Sequence, residues 1–182
     1  MSSGGNPVAT PAVDRAKRPI SPLAGPYGHP FHPILVTIPI GAWAASLVFD
    51  VATKVNSAGS TAFVNASYWL IAVGVIGAVL AAVFGLMDLL TIPRSTKALR
   101  IGLTHMAINL TVVGTFIGDF FWRHATATGA AVAAKVQTGQ LVLSAVAIGL
   151  LLISGFLGGK LAYRYGVRVA DEATQAEGFG GA

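Results

Sequence analysis

From Val55 to Met87, and again from Val136 to Gly159, the chain carries no charged residue. Runs this long and this apolar restrict the fold severely, because a helix of roughly 20 apolar residues already spans the hydrocarbon core of a bilayer. Four segments of this kind are present: Ile34–Val55, Ala66–Leu90, Leu99–Trp122 and Leu141–Tyr163. Their apolar residues do not alternate, as strands of a membrane barrel require. Nor is there enough polar sequence to surround four buried helices in water: 10% of residues are charged, against about 25% in a soluble domain. Mean hydropathy is +0.69. The sequence therefore predicts an all-α integral membrane bundle of four transmembrane helices.

Orientation follows from the cations. Arg15, Lys17 and Arg18 precede the first segment, Arg94, Lys97 and Arg100 lie between the second and third, and Lys160, Arg164 and Arg168 close the fourth. With four spans these regions share one side, which the positive-inside rule assigns to the cytoplasm. Both termini are thus expected there, in a bacterial inner membrane. The basic residues flank apolar runs rather than clustering among surface aromatics, so the bilayer and not nucleic acid is the expected partner. Residues 1–26 are small, polar and proline-rich, with no signal-peptide core, and read as a disordered tail. Residues 167–182 read likewise, leaving 27–166 as the membrane domain.

Glycine and alanine recur at helical spacing inside the spans: Gly74, Ala78 and Ala82; Gly77, Ala81 and Gly85; Gly114 and Gly118; Gly155 and Gly159. Small residues at this spacing let helices approach closely in lipid, which is a packing role and not chemistry. Pro39 is expected to kink the first helix and free the carbonyl of Leu35.

The polar residues that could carry chemistry gather at the end expected to be cytoplasmic. His29 and His32 sit in Gly28-His-Pro-Phe-His-Pro33, where Pro33 suits a helix start and His32 its cap. The helix dipole there favours a neutral imidazole, which can bind a metal. His105 and Asn109 are one turn apart on the third helix. Asp88 ends the second helix against the negative end of its dipole and needs a cation, which Lys160, Arg94, Arg100 or a histidine would supply. Lys160 and Arg164 close the fourth. A metal set of His29, His32 and His105, with Asp88, Asn109, Lys160 and Arg164 as polar partners, is one expectation; a structural clasp joining the helices is the other. Asp50 with Lys54, and Asp119 with Arg123, read as ordinary i,i+4 pairs at the opposite end. With no cysteine in the chain, disulfides, thiolate nucleophiles and cysteine metal sites are excluded. No HExxH, P-loop, nucleophile elbow or dinucleotide fingerprint is present.

The run Gly28-His-Pro-Phe-His-Pro-Ile-Leu-Val-Thr-Ile-Pro-Ile-Gly41, then Phe84-Gly-Leu-Met-Asp-Leu-Leu90, His105 with Asn109, and Ser154-Gly-Phe-Leu-Gly-Gly-Lys-Leu-Ala-Tyr-Arg-Tyr-Gly-Val167 resemble a bacterial four-helix membrane family. It is known as domain of unknown function number 2231. The resemblance covers about 28–169. It implies no established activity, but similar domains joined to Rieske-type or haem-c-type domains imply a membrane redox setting. Thr37 and Tyr165 stand where similar sequences often have histidine.

Three functions compete. The chain is a non-catalytic subunit of a larger membrane complex, a homo-oligomer included; or a redox-associated module binding a metal ion or haem; or, ranked last because the helix centres are apolar, a transporter using His105 and Asp88. The lack of a nucleophile or acid pair weighs against an enzyme.

Overall fold

The computed structural model describes residues 11–56, 60–126 and 135–180. Among them every element is helical: α1 (Pro11–Lys17), a 3-10 turn (Pro22–Ala24), α2 (His32–Leu35), α3 (Thr37–Val55), α4 (Ser60–Leu89), α5 (Lys97–Thr126), α6 (Thr138–Gly159), a π-helical turn (Lys160–Arg164) and α7 (Glu172–Glu177). Four stretches are long and apolar enough to cross a membrane: His32–Val55, Thr61–Leu89, Lys97–Thr126 and Thr138–Arg164. Large side chains such as Val48, Ile76, Leu110, Leu152 and Phe156 point outward unburied, as a lipid-facing surface requires.

Local signals set the ends. Proline at 39 has no amide to give Leu35, and the first span breaks one turn earlier, at Val36, where Thr37 Oγ1 donates to Ile34 O at 2.7 Å. His32 is the first helical residue rather than the cap, which falls on Phe31. The Thr96 hydroxyl accepts from Leu99 N at 3.1 Å and opens α5, just after Ser95 takes a positive φ of 63°. Gln137 and Gln140 form a reciprocal capping box at the start of α6. The helices overrun the apolar segments because their polar flanks keep forming helix outside the hydrocarbon.

The spans pack as two hairpins, α2–α3 with α4 and α5 with α6, around Trp43, Ile71, Ala78, Val112, Phe116 and Ala147. Trp43 stacks on Phe116 with ring centres 4.3 Å apart, and its Nε1 donates to Ile71 O at 3.3 Å. The glycines of α4 have the packing role expected of them: a Cβ on Gly74 would strike Trp43, and one on Gly77 would lie 2.6 Å from Ile38. Gly114, Gly118 and Gly155 differ, with nothing within 4 Å of such a Cβ.

The hairpins are two copies of one unit. Asp50 and Arg123, which pair, are 73 residues apart, and the same offset carries His32 onto His105, Trp43 onto Phe116, Ala81 onto Ser154 and Gly85 onto Gly158. The three pairs His32–His105, Trp43–Phe116 and Asp50–Arg123 each touch or face their own equivalent. A residue meets its own mate only on a two-fold axis, so a pseudo-two-fold runs between α3 and α5, along the bundle.

The tails differ from the expectation of disorder. Residues 11–31 and 167–180 fold over the same end of the bundle and bind each other. Arg168 N donates to Ala16 O at 2.9 Å, Arg168 Nη2 donates to Ala24 O at 3.1 Å and Gly25 O at 3.0 Å, and Tyr27 OH donates to Asp171 at 2.7 Å. One buried arginine thus supplies the order that a polar composition does not suggest. Residues 1–10 and 181–182 lie outside the described residues.

Candidate functional site

Two of the three expected metal-binding histidines come together at the end covered by the tails. The His32 and His105 rings stand edge to face with centres 6.5 Å apart. His32 Nδ1 lies 2.9 Å from Ala81 O, and His105 Nδ1 lies 2.8 Å from Ser154 O; both bonds join residues 49 apart, one in each hairpin. A carbonyl accepts only, so each Nδ1 carries the hydrogen, which in the neutral imidazole leaves the lone pair on Nε2. Both imidazoles fit against glycine: a Cβ on Gly85 would lie 2.8 Å from His32, and one on Gly158 3.1 Å from His105. The rings are partly exposed. Asn109 Nδ2 sits 3.0 Å from His105 Nε2 and 3.0 Å from His105 O, so Asn109 occupies the His105 lone pair. No equivalent amide faces His32 Nε2 among the described residues.

His29 stands apart, exposed on the surface. Among the described residues no three histidines and carboxylates approach closely enough to hold a metal ion. The three-histidine expectation is therefore reduced to a pair, because the turn 26–31 directs His29 away from the bundle.

Asp88 is not the partner of His105. Its cation is Arg168, with Nε 2.7 Å from Oδ1, a residue outside the expected set of Lys160, Arg94, Arg100 or a histidine. The N–H is not aimed at that oxygen, and Arg168 Nη1 is also buried without a hydrogen bond. Charge proximity rather than hydrogen-bond geometry holds this pair. Nearby, Asp171 caps α7; the Thr174 amide first, then the Tyr27 hydroxyl, hold its carboxyl down at about 2. Lys160 and Arg164 turn to a different place, a groove shared with Lys97, Arg100, Ile101 and Tyr165.

The opposite end holds a polar network that residue-by-residue reading does not reveal. Asp50 does not pair with Lys54. Arg123 grips it with both terminal nitrogens, at 2.8 and 2.7 Å, and binds Asp119 through Nε at 3.0 Å. Ser67 donates to Asp50, Ser144 donates to Asp119 Oδ2 at 3.2 Å, and both hydroxyls accept from Arg123. All four spans contribute. Asp50 and Asp119 are 0% exposed and Arg123 6%, so these are buried ions and not the interfacial pairs that i,i+4 spacing suggests. Asp119 with Arg123 has the expected spacing; Asp50 with Arg123 is visible only through the 73-residue repeat.

Four apolar spans, two hairpins and buried polar ties at both ends define a multi-pass α-helical membrane protein. A family model described as "Predicted membrane protein (DUF2231)" matches residues 28–171, and the chain belongs to that family. The matched span reaches Arg168 and Asp171, while their partners Ala16, Ala24, Gly25 and Tyr27 precede it. No match was found among curated proteins or among solved structures.

Proposed function

We propose that the chain is a membrane module whose chemistry is a two-imidazole site, His32 with His105, serving a redox-associated assembly of the inner membrane. The observation that supports it is internal. The two hairpins have diverged at most positions, yet each retains one histidine, the glycine that accommodates it and the carbonyl bond that fixes Nδ1–H. Holding Nδ1–H on a carbonyl is how proteins present Nε2 to a metal. Two imidazoles are too few for tetrahedral zinc. They suffice for an ion that brings its other ligands with it, as haem iron does with two axial histidines. Asn109 must swing off His105 Nε2 for both to engage, which makes His32 the first ligand.

The test is an absorption spectrum and elemental analysis of detergent-purified protein, with and without added haem. A Soret band or one metal per chain, lost in His32→Ala and His105→Ala and kept in His29→Ala, is the expected result. No band and no stoichiometric metal in the wild-type protein would remove the reading.

A second reading is a non-catalytic subunit. Gly114 and Gly118 favour it: they form a small-xxx-small face on α5 with nothing against it. Gly114→Leu should leave the monomer intact and abolish a co-purifying partner or homo-oligomer. In either reading the termini are cytoplasmic, and the cysteine-free chain makes this testable: Ser95→Cys should label only from the cytoplasm and Lys135→Cys only from outside.

A further inference from the structure

We propose that the groove between the start of α5 and the π-helical turn binds a phosphate-bearing anion at the membrane surface. The groove, about 520 Å³, is lined by Lys97, Arg100, Ile101, Lys160, Arg164 and Tyr165. Four of these six side chains are cations, drawn from two helices. Among the described residues the cations that meet a carboxylate are Arg18, Arg123 and Arg168. The four around the groove meet none. The protein therefore neutralises its buried arginines internally and leaves this corner uncompensated.

Two further features shape the corner. Tyr165 N bonds Lys160 O at 3.2 Å, the i→i+5 closure of the π-turn. In a regular helix, residues five apart point about 140° away from each other; the wider turn moves Tyr165 toward Lys160, and both line the groove. π-turns of this kind recur at functional sites. The groove also lies at the N-terminal end of the 30-residue α5, where the helix dipole favours an anion.

The other hairpin is an internal control. The positions equivalent to Lys97, Arg100, Lys160 and Arg164 are Ala24, Tyr27, Met87 and Thr91, none of them cationic. There the tails close the corner through Arg168, Ala24, Gly25 and Asp88. Topology requires positive charge on one side of the membrane, but it does not require four cations around one open groove. Basic pockets between spans at headgroup level are suited to anionic lipid phosphates; a soluble phosphate presents the same group.

The experiment uses the full chain in neutral detergent and reads thermal unfolding and native mass spectra. Phosphatidylglycerol, phosphatidylcholine and inorganic phosphate are added in separate arms. Phosphatidylglycerol should raise Tm and remain bound, phosphatidylcholine should not, and the effect should weaken with salt. In Lys160→Gln/Arg164→Gln, and independently in Lys97→Gln/Arg100→Gln, affinity should fall at least tenfold. Arg94→Gln, an exposed cation outside the groove, should retain it. A shift with inorganic phosphate that is lost in the same variants supports the proposal and names a soluble source. No shift in either anionic arm, or a phosphatidylglycerol shift that both double variants retain, overturns it. The histidine pair plays no part in this outcome, so His32→Ala should bind the anion normally.

Discussion

The first hairpin sets its histidine against bare backbone, while the second surrounds its own with Asn109 and Ser154. At the opposite end the first hairpin offers Asp50 and Ser46, and the second answers at the equivalent positions with Arg123 and Asp119. Near the axis, two identical groups can face one another where they are neutral, as the imidazoles do. Two identical charges in a buried place cannot. The repeat therefore stays symmetric at His32–His105 and Trp43–Phe116, and breaks symmetry at Asp50–Arg123, where opposite charges join the halves. Asymmetry marks where opposite charges lock the halves together, and symmetry marks where equivalent rings meet.

Removing the lock should have the largest effect. Arg123→Ala leaves Asp50 and Asp119 buried without a cation, and a buried pair broken on one side costs about 3–5 kcal/mol. We expect little folded protein in detergent, read by size-exclusion chromatography and thermal unfolding. The triple variant Asp50→Leu, Asp119→Leu, Arg123→Leu should recover much of that loss, because an apolar replacement removes the uncompensated charge. If Arg123→Ala melts like the wild type, the network does not hold the halves together.

The tie at the other end is smaller and belongs to one hairpin only. Asp88→Asn strips the partner from buried Arg168, whose equivalent contact does not exist at Leu161. A loss of about 1–3 kcal/mol is expected, with faster protease cleavage near Arg15 and Arg18 as the tails come loose. Cleavage unchanged from wild type would show that the clasp forms without the ion pair.

The spans, the sharing of one end by both tails, and the grouping of His32 with His105 are legible in the sequence, because hydrocarbon thickness and helical spacing act over tens of residues at most. Three things are not. Asp50–Arg123 crosses between hairpins, so local spacing offers Lys54 to Asp50 and shows only the Asp119 half of what Arg123 binds. Arg168 looks like one more topology charge in a polar tail, although its side chain is buried. His29 and His32 look equivalent in sequence, and only the turn preceding α2 separates them. The repeat itself is written in the chain: each histidine precedes its glycine by the same interval, His32 to Gly85 and His105 to Gly158. Aligning the chain with itself at that single offset pairs Asp50 with Arg123 from residue identities alone.

The glycine seats allow a finer comparison of the two halves. A Cβ at Gly85 would meet His32 Cε1 and Nδ1 at 2.8 and 2.9 Å, while one at Gly158 would meet His105 Cε1 at 3.1 Å. Gly85→Ala should therefore push His32 off Ala81 O and cost about 1–3 kcal/mol as an overpacked contact. Gly158→Ala should cost less, since His105 need shift only by tenths of an ångström. Equal costs in thermal unfolding would mean that the two seats are interchangeable.

The smallest effect separates tail order from bundle stability. The Asp171 carboxyl accepts from the Thr174 amide at 2.8 Å and from Tyr27 at 2.7 Å, and its folded value lies at about 2, below the usual 3.8. A depressed acid contributes stability that is fully present above the unfolded value and is lost as pH falls through the folded one. The wild-type tails should therefore remain docked at neutral pH and loosen between about pH 4 and pH 2, read by fluorescence of a dye on Thr174→Cys. Because the carboxyl is exposed, the amplitude is small. In Asp171→Asn the same transition should be missing while the unfolding of the four spans is unchanged. A transition that persists in Asp171→Asn would show that the Asp171 contacts do not carry the acid sensitivity of the tails, and that the clasp closing the first hairpin is held by its other bonds.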